Sequence, residues 1–344
     1  MAWLIFLPRS SKDPAHGDEA LNRPQMCGQE LILPFRHLYA VVETLPALFF
    51  GLHFPEFMVW EQIMNELNWT DVQRHRLKTL NAPPNTLKDQ FETASQRNRA
   101  FQDIEKQLVR QERERLATFL TDRLRPRVCV LESLLIKTLN RHGFAQVTTP
   151  AIISQTDLER MSVSKSHPLN RQIYWVDSQR CLRPMLAPNL YKLMRELGRV
   201  FKEPVRLFEV GSCFRKESDG ALHASEFTML NLVEMRLPLE NRKARLQELA
   251  EIVMTAAGIE NYASVTESSE VYGNTFDIVC GTDNLEAASC AMGPHPLDSA
   301  WGITDAWVGL GFGLERLIMA SQGSDSIGKW RRSLSYLDGI RLRI

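Results

Sequence analysis

The sequence predicts an α+β fold in which an antiparallel sheet is flanked by helices, with a small helical region on the amino-terminal side. The sheet is indicated by a strand, a polar turn and a second strand between residues 205 and 235, which is the pattern of a β-hairpin. The helices are indicated by apolar residues that recur at helical spacing. The 344 residues, with 44% apolar content and zero formal net charge, are typical of a globular protein with one large or two modest domains.

The first 57 residues carry no motif, and we expect an extension of uncertain structure here, such as a misassigned start codon upstream of Met58 would add. Their apolar run, residues 44–55, is interrupted by Pro46 and Gly51. It is far shorter than the roughly 20 residues that span a bilayer. No small-residue cleavage site follows it, so a signal peptide is not favoured. We therefore expect a cytoplasmic protein that does not contact a membrane.

Residues 58–127 are predicted to be helical, with a break at residues 82–84, Ala-Pro-Pro. One face of the second predicted helix carries its apolar side chains, which are Phe101, Ile104, Leu108, Leu116, Phe119 and Leu120. Between Asp71 and Arg127 there are 13 Lys and Arg residues against 8 acidic residues. This excess is typical either of a solvated helix face or of a surface that binds phosphates.

A further amphipathic helix precedes a strand that ends at Pro150. Its apolar face is formed by Leu131, Leu134, Leu135 and Leu139. Gly143 follows at the position where a glycine commonly ends a helix, so we expect the helix to stop there.

The hairpin is predicted from two strands, residues 205–217 and 226–235, joined by a polar turn that contains Asp-Gly. Side chains two residues apart share a face of a strand, so Arg215 and Glu217 lie on one side of the first strand. One side of the second strand carries Phe227, Met229, Asn231 and Val233. An arginine has the planar donors that bridge a phosphate and a carboxylate, and an aromatic ring with an acid suits a purine. The alternative is an ordinary hairpin with a surface Arg-Glu pair.

A glycine-rich segment near the carboxyl terminus makes a nucleoside triphosphate site the favoured interpretation. Residues 306–310 are predicted to be a strand, and Gly309, Gly311 and Gly313 fall on alternate positions, which clears one face for a ligand. Arg316 follows in the first turn of an apolar helix. Such glycines also mark bends and dinucleotide-binding turns, but no βαβ unit with a later acidic residue follows, so the dinucleotide fold is excluded.

The six cysteines show no C-x-x-C pair and no zinc spacing with histidine. They are expected to be reduced thiols with structural roles in a cytosolic protein. Any metal is expected to be Mg²⁺ bound with ATP through oxygen ligands.

Three segments resemble, in order along the chain, motifs 1, 2 and 3 of class II aminoacyl-tRNA synthetases. They are the helix and strand ending at Pro150, the F-R-x-E hairpin and the G-x-G-x-G-L-E-R segment. Four segments are similar to the pyrrolysyl-tRNA synthetase family: LRPMLAPNLY at 182–191, RKESDG at 215–220, EFTMLN at 226–231 and VYG at 271–273. The similarity runs from about Trp60 to the carboxyl terminus. It implies a class II synthetase catalytic domain at residues 128–344, preceded by a helical tRNA-contacting region at residues 58–127.

The resemblance also implies the ATP site. Arg215 would bridge the α-phosphate and the amino-acid carboxylate, and Arg316 would bind the γ-phosphate and stack near the adenine. Glu217 and Phe227 would hold the adenine, while His223 would reach the outer phosphates. The family's Mg²⁺-binding pair corresponds to Glu286 and Ser289, although the residues before them contain an extra position relative to the family pattern.

The pocket for the amino-acid side chain is the second implied site. Ala187, Leu190, Tyr191 and Met194 form one helical stripe, and such a stripe by itself is more often core than pocket. By resemblance these residues line an apolar pocket for a long lysine derivative, which Val233, Ala291, Trp307 and Gly309 complete. Asn231 would bind the acyl carbonyl of the substrate. Tyr272 would cover the pocket, and Asn274 departs from the aspartate that is usual in this loop.

The implied function is ATP-dependent ligation of pyrrolysine to its cognate amber-decoding tRNA through an aminoacyl adenylate, by a cytoplasmic homodimer that uses ATP and Mg²⁺. The fused basic tRNA-binding domain of some archaeal members has no counterpart in the sequence, so either a separate amino-terminal tRNA-binding protein is a partner or that domain does not exist. One alternative is a class II synthetase for another amino acid, since Val233 and Ala291 set the pocket shape. Another is a non-catalytic synthetase-like tRNA-binding or regulatory paralogue. Such paralogues commonly lose the arginine of motif 2 or motif 3, whereas Arg215 and Arg316 are both present.

Overall fold

The computed structural model of the protein describes residues 68–216, 222–269, 273–281 and 284–344. The predicted extension, residues 1–57, lies outside the described residues. The chain divides into two compact units. Within the described residues, the first unit comprises 68–75 and 83–101, and the second comprises 76–82 and the residues from 102 onward. The predicted boundary at residue 127 stays a prediction.

The helices, in chain order, are α1 (Asp71–Thr79), α2 (Ala94–Thr121), α3 (Arg127–Arg141), α4 (Gln155–Arg160), α5 (Ala187–Val200), α6 (Arg242–Ala256), α7 (Asp298–Trp301) and α8 (Leu314–Ser321). The strands are β1 (Ala145–Gln146), β2 (Ile152–Ser154), β3 (Arg180–Leu182), β4 (Val205–Phe214), β5 (Glu226–Met235), β6 (Tyr262–Ser269), β7 (Gly273–Cys280), β8 (Leu285–Gly293), β9 (Trp307–Gly313), β10 (Tyr336–Leu337) and β11 (Ile340–Arg341).

The first unit is organised around Trp69, which is buried. Its indole nitrogen donates a hydrogen bond of 2.6 Å to the carbonyl oxygen of Thr86. Its ring meets the edges of Phe91 and Phe101 at centroid distances of 4.4 Å and 6.4 Å. Because a buried indole N–H requires an acceptor, this one contact ties the short 3₁₀ turn Thr86–Lys88 to the start of α1.

A seven-stranded sheet forms the centre of the second unit, in the order β1-β4-β5-β9-β8-β7-β6. Only the edge pair β1 and β4 is parallel, and the other neighbours are antiparallel. The predicted antiparallel sheet flanked by helices is therefore confirmed. Strands β4 and β5 are antiparallel neighbours, as predicted for the hairpin. Strand β9 lies next to β5 although about 70 residues separate them in sequence, and the sequence pattern of either strand does not predict this pairing.

Helices α3, α6 and α8 cover one face of this sheet. Their apolar side chains pack with Leu230 and Leu232 of β5 and with Leu310 and Phe312 of β9. The prediction that Leu134 belongs to this buried face of α3 is wrong, because 43% of Leu134 is exposed. Leu120 of α2 is likewise 66% exposed, since it is rotated by about 100° from buried Phe119 on the helix.

Helices α5 and α7 lie on the opposite face. There Val233 of β5 and Trp307 of β9 pack with Tyr191 and Trp301 in a second apolar cluster. Alternate residues of β5 therefore enter two different cores, as strand geometry requires. No helix within the described part of the chain is long and apolar enough to cross a lipid bilayer.

Candidate active site

Three neighbouring strands, β5, β9 and β8, form the floor of the candidate site. Gly309 and Gly311 of β9 lie at its centre, and in register they connect two rows across the floor: Asn231 with Gly311 and Ser289, and Val233 with Gly309 and Ala291. Because these glycines have no side chain, the middle of the floor is open to a ligand between the flanking side chains. The strand continues through Gly313, beyond the predicted end at residue 310, because Gly313 still pairs with Met229.

Arg215 immediately follows the hairpin strand β4 and is fully buried. Its Nε atom donates a hydrogen bond of 3.0 Å to the carbonyl oxygen of Pro184. Its guanidinium carbon lies 5.2 Å from the ring centre of Phe227. A buried cation held by an acceptor on one side and an aromatic face on the other is oriented before any ligand binds.

The segment that holds Arg215 is itself fixed by a buried ion pair that the sequence did not indicate. Nη1 of Arg183 lies 2.8 Å from Oε1 of Glu209, and Nε of Arg183 donates to the carbonyl oxygen of Ser212 at 2.9 Å. Glu209 also accepts a 2.7 Å hydrogen bond from the hydroxyl of Thr149. The only signal in the sequence was that Glu209 stands between the apolar residues Phe208 and Val210, and that Arg183 follows Leu182.

Arg316 stands in the first turn of α8 and is almost fully buried. Its guanidinium donates to the carbonyl oxygen of Glu286 at 2.8 Å and to that of Leu222 at 3.3 Å. Its Nη1 lies 3.8 Å from a carboxylate oxygen of Glu286. Arg316 thus connects helix α8 with strand β8 and with Leu222, which precedes β5.

Arg316, His223 and Phe227 line one cleft, so three of the predicted ATP-site residues come together. The other lining residues are Leu222, Ala224, Gly313, Glu315 and Ile327. The pKa of His223 lies below its usual range because of burial and then because of the positive charges of Arg316 and Arg215. Glu217 and Tyr272, two further predicted site residues, lie outside the described residues.

Glu315 is a buried acid of this cleft that the sequence analysis did not single out. Its two carboxylate oxygens accept hydrogen bonds from the backbone nitrogen of Thr228 at 2.9 Å and 3.0 Å. Burial raises the pKa of Glu315 to about 6, and these hydrogen bonds oppose that shift. The residue attaches α8 to the hairpin strand that carries Phe227.

The predicted metal pair is brought onto one face by a β-bulge. In a regular strand, residues three apart such as Glu286 and Ser289 point to opposite faces. Here Val279 pairs with Glu286 and Asp277 pairs with Ser289, and the register shifts between them, so the extra residue of β8 restores a common face. The hydroxyl of Ser289 donates a 2.7 Å hydrogen bond to Asp277.

Oxygen donors of this kind fit Mg²⁺, which commonly binds one or two carboxylates and completes its shell with substrate phosphates and water. Among the described residues, no group of three or more His, Cys, Asp or Glu side chains is placed to hold a metal ion without such help. The donor set therefore suits a metal that arrives with a phosphate ligand.

The residues predicted to line the side-chain pocket also lie together in space. Helix α5 and the sheet floor bring into one buried cluster Ala187, Leu190, Tyr191, Met194, Val233, Ala291 and Trp307. Asn231 lies on the same face of β5 as Val233 and is 0% exposed. Neither its amide nitrogen nor its amide oxygen has a hydrogen-bond partner among the described residues. A buried amide among apolar side chains is thus left with its donors and acceptor available.

The chain is similar in sequence and in structure to known proteins. Residues 123–336 match the model of the tRNA synthetases class II core domain (F) family. The crystal structure of pyrrolysyl-tRNA synthetase from Desulfitobacterium hafniense is 52% identical in sequence, with a TM-score of 0.75 over 81% of this chain and 99% of that chain. A second structure of a pyrrolysyl-tRNA synthetase from this organism is 51% identical, with a TM-score of 0.73 over 81% of this chain and 97% of that chain.

Curated relatives match over a shorter segment. The threonine-tRNA ligase of Wigglesworthia glossinidia brevipalpis is 34% identical over 97 residues, which are 27% of this chain and 15% of that protein. The threonine-tRNA ligase of Treponema pallidum (strain Nichols) is 29% identical over 97 residues, which are 27% of this chain and 16% of that protein. The chain thus aligns with only about a sixth of the length of these curated relatives.

Proposed function

Because this chain belongs to the class II aminoacyl-tRNA synthetases, and within them to the pyrrolysyl-tRNA synthetase family, we propose that it ligates pyrrolysine to an amber-decoding tRNA through an aminoacyl adenylate. The observation that supports this substrate best is the buried Asn231 amide, which lacks a partner among the described residues. An unpaired buried amide costs about 1–3 kcal/mol, so the site favours a ligand that supplies a polar group at this depth.

A long N-acylated lysine side chain matches the pocket in two respects. Its methylene chain suits the apolar cluster around Leu190 and Met194, which are both fully buried. Its acyl carbonyl is an acceptor for the Asn231 side-chain NH₂ group. A short polar side chain such as that of threonine would leave this amide unpaired, which favours the longer substrate over the one named for the curated relatives.

In the first step, the substrate carboxylate attacks the α-phosphorus of ATP, a new P–O bond forms to the carboxylate, and the bond to pyrophosphate breaks. Arg215 is already oriented by Pro184 and Phe227, so its charge stabilises the pentacoordinate phosphorus without rearrangement. Arg316 and His223 bind the outer phosphates, while Phe227 and Glu217 hold the adenine. These groups position the reactants and neutralise charge, and no protein nucleophile is required.

Glu286 and Ser289 would hold Mg²⁺ on the common face that the β8 bulge creates, and the ion would neutralise charge on the departing pyrophosphate. In the second step a ribose hydroxyl of the tRNA attacks the acyl carbon, and AMP leaves. The positively charged helical segment between Asp71 and Arg127 is suited to contact the tRNA backbone.

The proposed assembly is a cytoplasmic homodimer with two-fold symmetry. Its support is helix α3, where Val130 and Leu134 expose apolar surface on the motif 1 helix. A separate amino-terminal tRNA-binding protein is a proposed further partner. Light scattering of the active enzyme at micromolar concentration measures the assembly, and an active monomer contradicts it.

Pyrophosphate exchange with pyrrolysine, an N-acyl lysine, threonine and phenylalanine, followed by charging of an amber-decoding tRNA, tests the function. We expect exchange with the first two amino acids only and transfer to the tRNA. Exchange that is fastest with another amino acid indicates a synthetase of different specificity. Binding of tRNA without exchange for any amino acid indicates a non-catalytic paralogue.

A further inference from the structure

A buried carboxylate lies next to the pocket and belongs to none of the three motifs. Asp298 opens the short helix α7 and is almost fully buried. Its two oxygens lie 3.1 Å and 3.0 Å from the indole nitrogen of Trp307, which donates to them. The backbone nitrogen of His295 donates to one oxygen at 2.7 Å, and the hydroxyl of Tyr191 approaches the other at 3.5 Å.

These donors are all uncharged. Among the described residues, neither Lys nor Arg forms an ion pair with Asp298, in contrast to Glu209 and its partner Arg183. Burying a carboxylate without a cation is costly, so the hydrogen bonds that Asp298 accepts must compensate for the lost hydration. Two of its three donors are side chains that line the proposed pocket.

The Trp307 indole is restrained on other sides as well. Gly293 is its register partner on β8, and a Cβ atom at Gly293 would lie only 2.0 Å from the indole nitrogen. The ring of Tyr191 meets the indole edge-on at a centroid distance of 6.0 Å and stacks on Trp301 at 5.2 Å. Asp298 thus holds the indole N–H, while the tyrosine hydroxyl lies at the limit of hydrogen-bond distance, so the indole is the more strongly restrained of the two rings.

We propose that Asp298 is a specificity-determining positioning residue, which sets the width of the side-chain pocket by fixing the Trp307 indole, against which the Tyr191 ring packs. The proposal rests on the proposed function, since it takes these two rings as walls of the pocket for an N-acyl lysine. Asp298 does not touch the reacting atoms. It affects which acyl groups enter the pocket and how tightly they bind, and it does not affect the attack on the α-phosphorus of ATP.

Asp298→Asn keeps the shape of the side chain but replaces one acceptor with an NH₂ group, which then faces a donor. We expect the KM for pyrrolysine to rise about tenfold, the change that follows from one lost hydrogen bond, while the KM for ATP stays within about twofold. Preference among N-acyl lysines of different acyl size should flatten, because the rings are no longer held. A merely structural role would lower thermal stability and kcat for every substrate and leave this ranking intact.

Asp305→Asn is the matched control. Asp305 precedes β9 by two residues and pairs with Arg236 at 3.1 Å, so it is a nearby carboxylate with a different partner. We expect its variant to keep the pyrrolysine KM and the acyl ranking of the wild type. Equal changes in Asp298→Asn and Asp305→Asn, or no change in either, overturn the proposal.

Trp307→Phe removes the indole N–H and completes the experiment. If Asp298 acts through Trp307, adding Asp298→Asn to Trp307→Phe should raise the pyrrolysine KM by less than about twofold more. Independent, multiplicative effects overturn the proposal. If Asp298→Asn does not unfold cooperatively, the test rests on Trp307→Phe alone. An unchanged preference among N-acyl lysines in Trp307→Phe then overturns the proposal. Failure of the wild type to exchange pyrophosphate with any N-acyl lysine is a different result, because it contradicts the proposed function.

Discussion

Arg183 and Glu209 form a buried ion pair, with 2.8 Å between Nη1 and Oε1, on the segment that holds the motif 2 arginine. The backbone oxygen of Arg183 accepts from Phe214, and the next carbonyl, that of Pro184, accepts from Arg215. Gly211 makes room for the pair, since a Cβ atom there would lie 2.2 Å from Nη2 of Arg183. The orientation of Arg215 therefore depends on two charges, Arg183 and Glu209, that were not among the predicted site residues.

Loss of one member of this pair should be strongly destabilising. Glu209→Gln leaves the Arg183 charge buried without its counter-ion, and we expect the free energy of unfolding to fall by about 3–5 kcal/mol in urea titrations. Glu114→Gln is the control, because its ion pair with Arg110 is exposed and should contribute less than about 1 kcal/mol. Similar losses for the two variants would contradict a stabilising role for the buried pair.

Arg215→Ala should strongly slow activation of the amino acid. Because the proposed mechanism uses this preoriented charge to stabilise the transition state, we expect pyrophosphate exchange to fall by roughly two orders of magnitude or more. Arg199→Ala, on the exposed surface of α5, should exchange at the wild-type rate. Near-normal exchange by Arg215→Ala would remove this residue from the mechanism.

Asn231→Ala should change substrate selection. Removal of the amide takes away the proposed partner for the acyl carbonyl and opens space. We therefore expect discrimination in favour of N-acyl lysines to fall by about 1–3 kcal/mol and bulky phenylalanine derivatives to be admitted. Charging of tRNA with pyrrolysine, an N-acyl lysine and a phenylalanine derivative measures this.

Asn189→Ala is the matched control for this experiment. The Asn189 amide is also buried, but it donates to Thr149 and Pro150 at 2.9 Å, so its loss should affect stability and not selection. If Asn231→Ala keeps the wild-type order of substrates, Asn231 is a structural amide and the substrate assignment has to rest on other residues.

Glu315 should make stability depend on pH in a defined window. Its pKa is raised from 4.5 to about 6 in the folded protein, so between these values the folded state binds more protons than the unfolded state. The contribution of Glu315 to stability therefore falls as pH rises through this window, by about 2 kcal/mol. Above pH 6 the cost of the buried charge is fully present, and below pH 4.5 it is absent.

Urea unfolding of the wild type and of Glu315→Gln at a series of pH values measures this effect. Since glutamine does not titrate, the difference in unfolding free energy between the two proteins should change by about 2 kcal/mol between pH 4.5 and pH 6. A constant difference across this range would mean that Glu315 titrates normally in the folded protein.

Local periodicity accounts for the part of the site that could be predicted. The strand Glu226–Met235 was expected with these bounds, and the alternation that placed Asn231 and Val233 on one face is the alternation observed. Gly143 ends helix α3 in the left-handed region, with φ at 79°, as its position indicated. The prediction that Leu120 and Leu134 belong to buried helix faces was wrong. Burial depends on which element a helix packs against, and the spacing of apolar residues does not contain this information.

The sequence by itself determined the class II motifs, the hairpin with its arginine and the cleared glycine face of β9, because each depends on neighbours in the chain. Only the tertiary structure decided which charges pair, as with Arg183 and Glu209, which are 26 positions apart. It also decided that a bulge brings Glu286 and Ser289 to one face and that Asp298 holds Trp307. A buried polar group must find a partner, and that partner is chosen by the packing of distant elements, which no local period records.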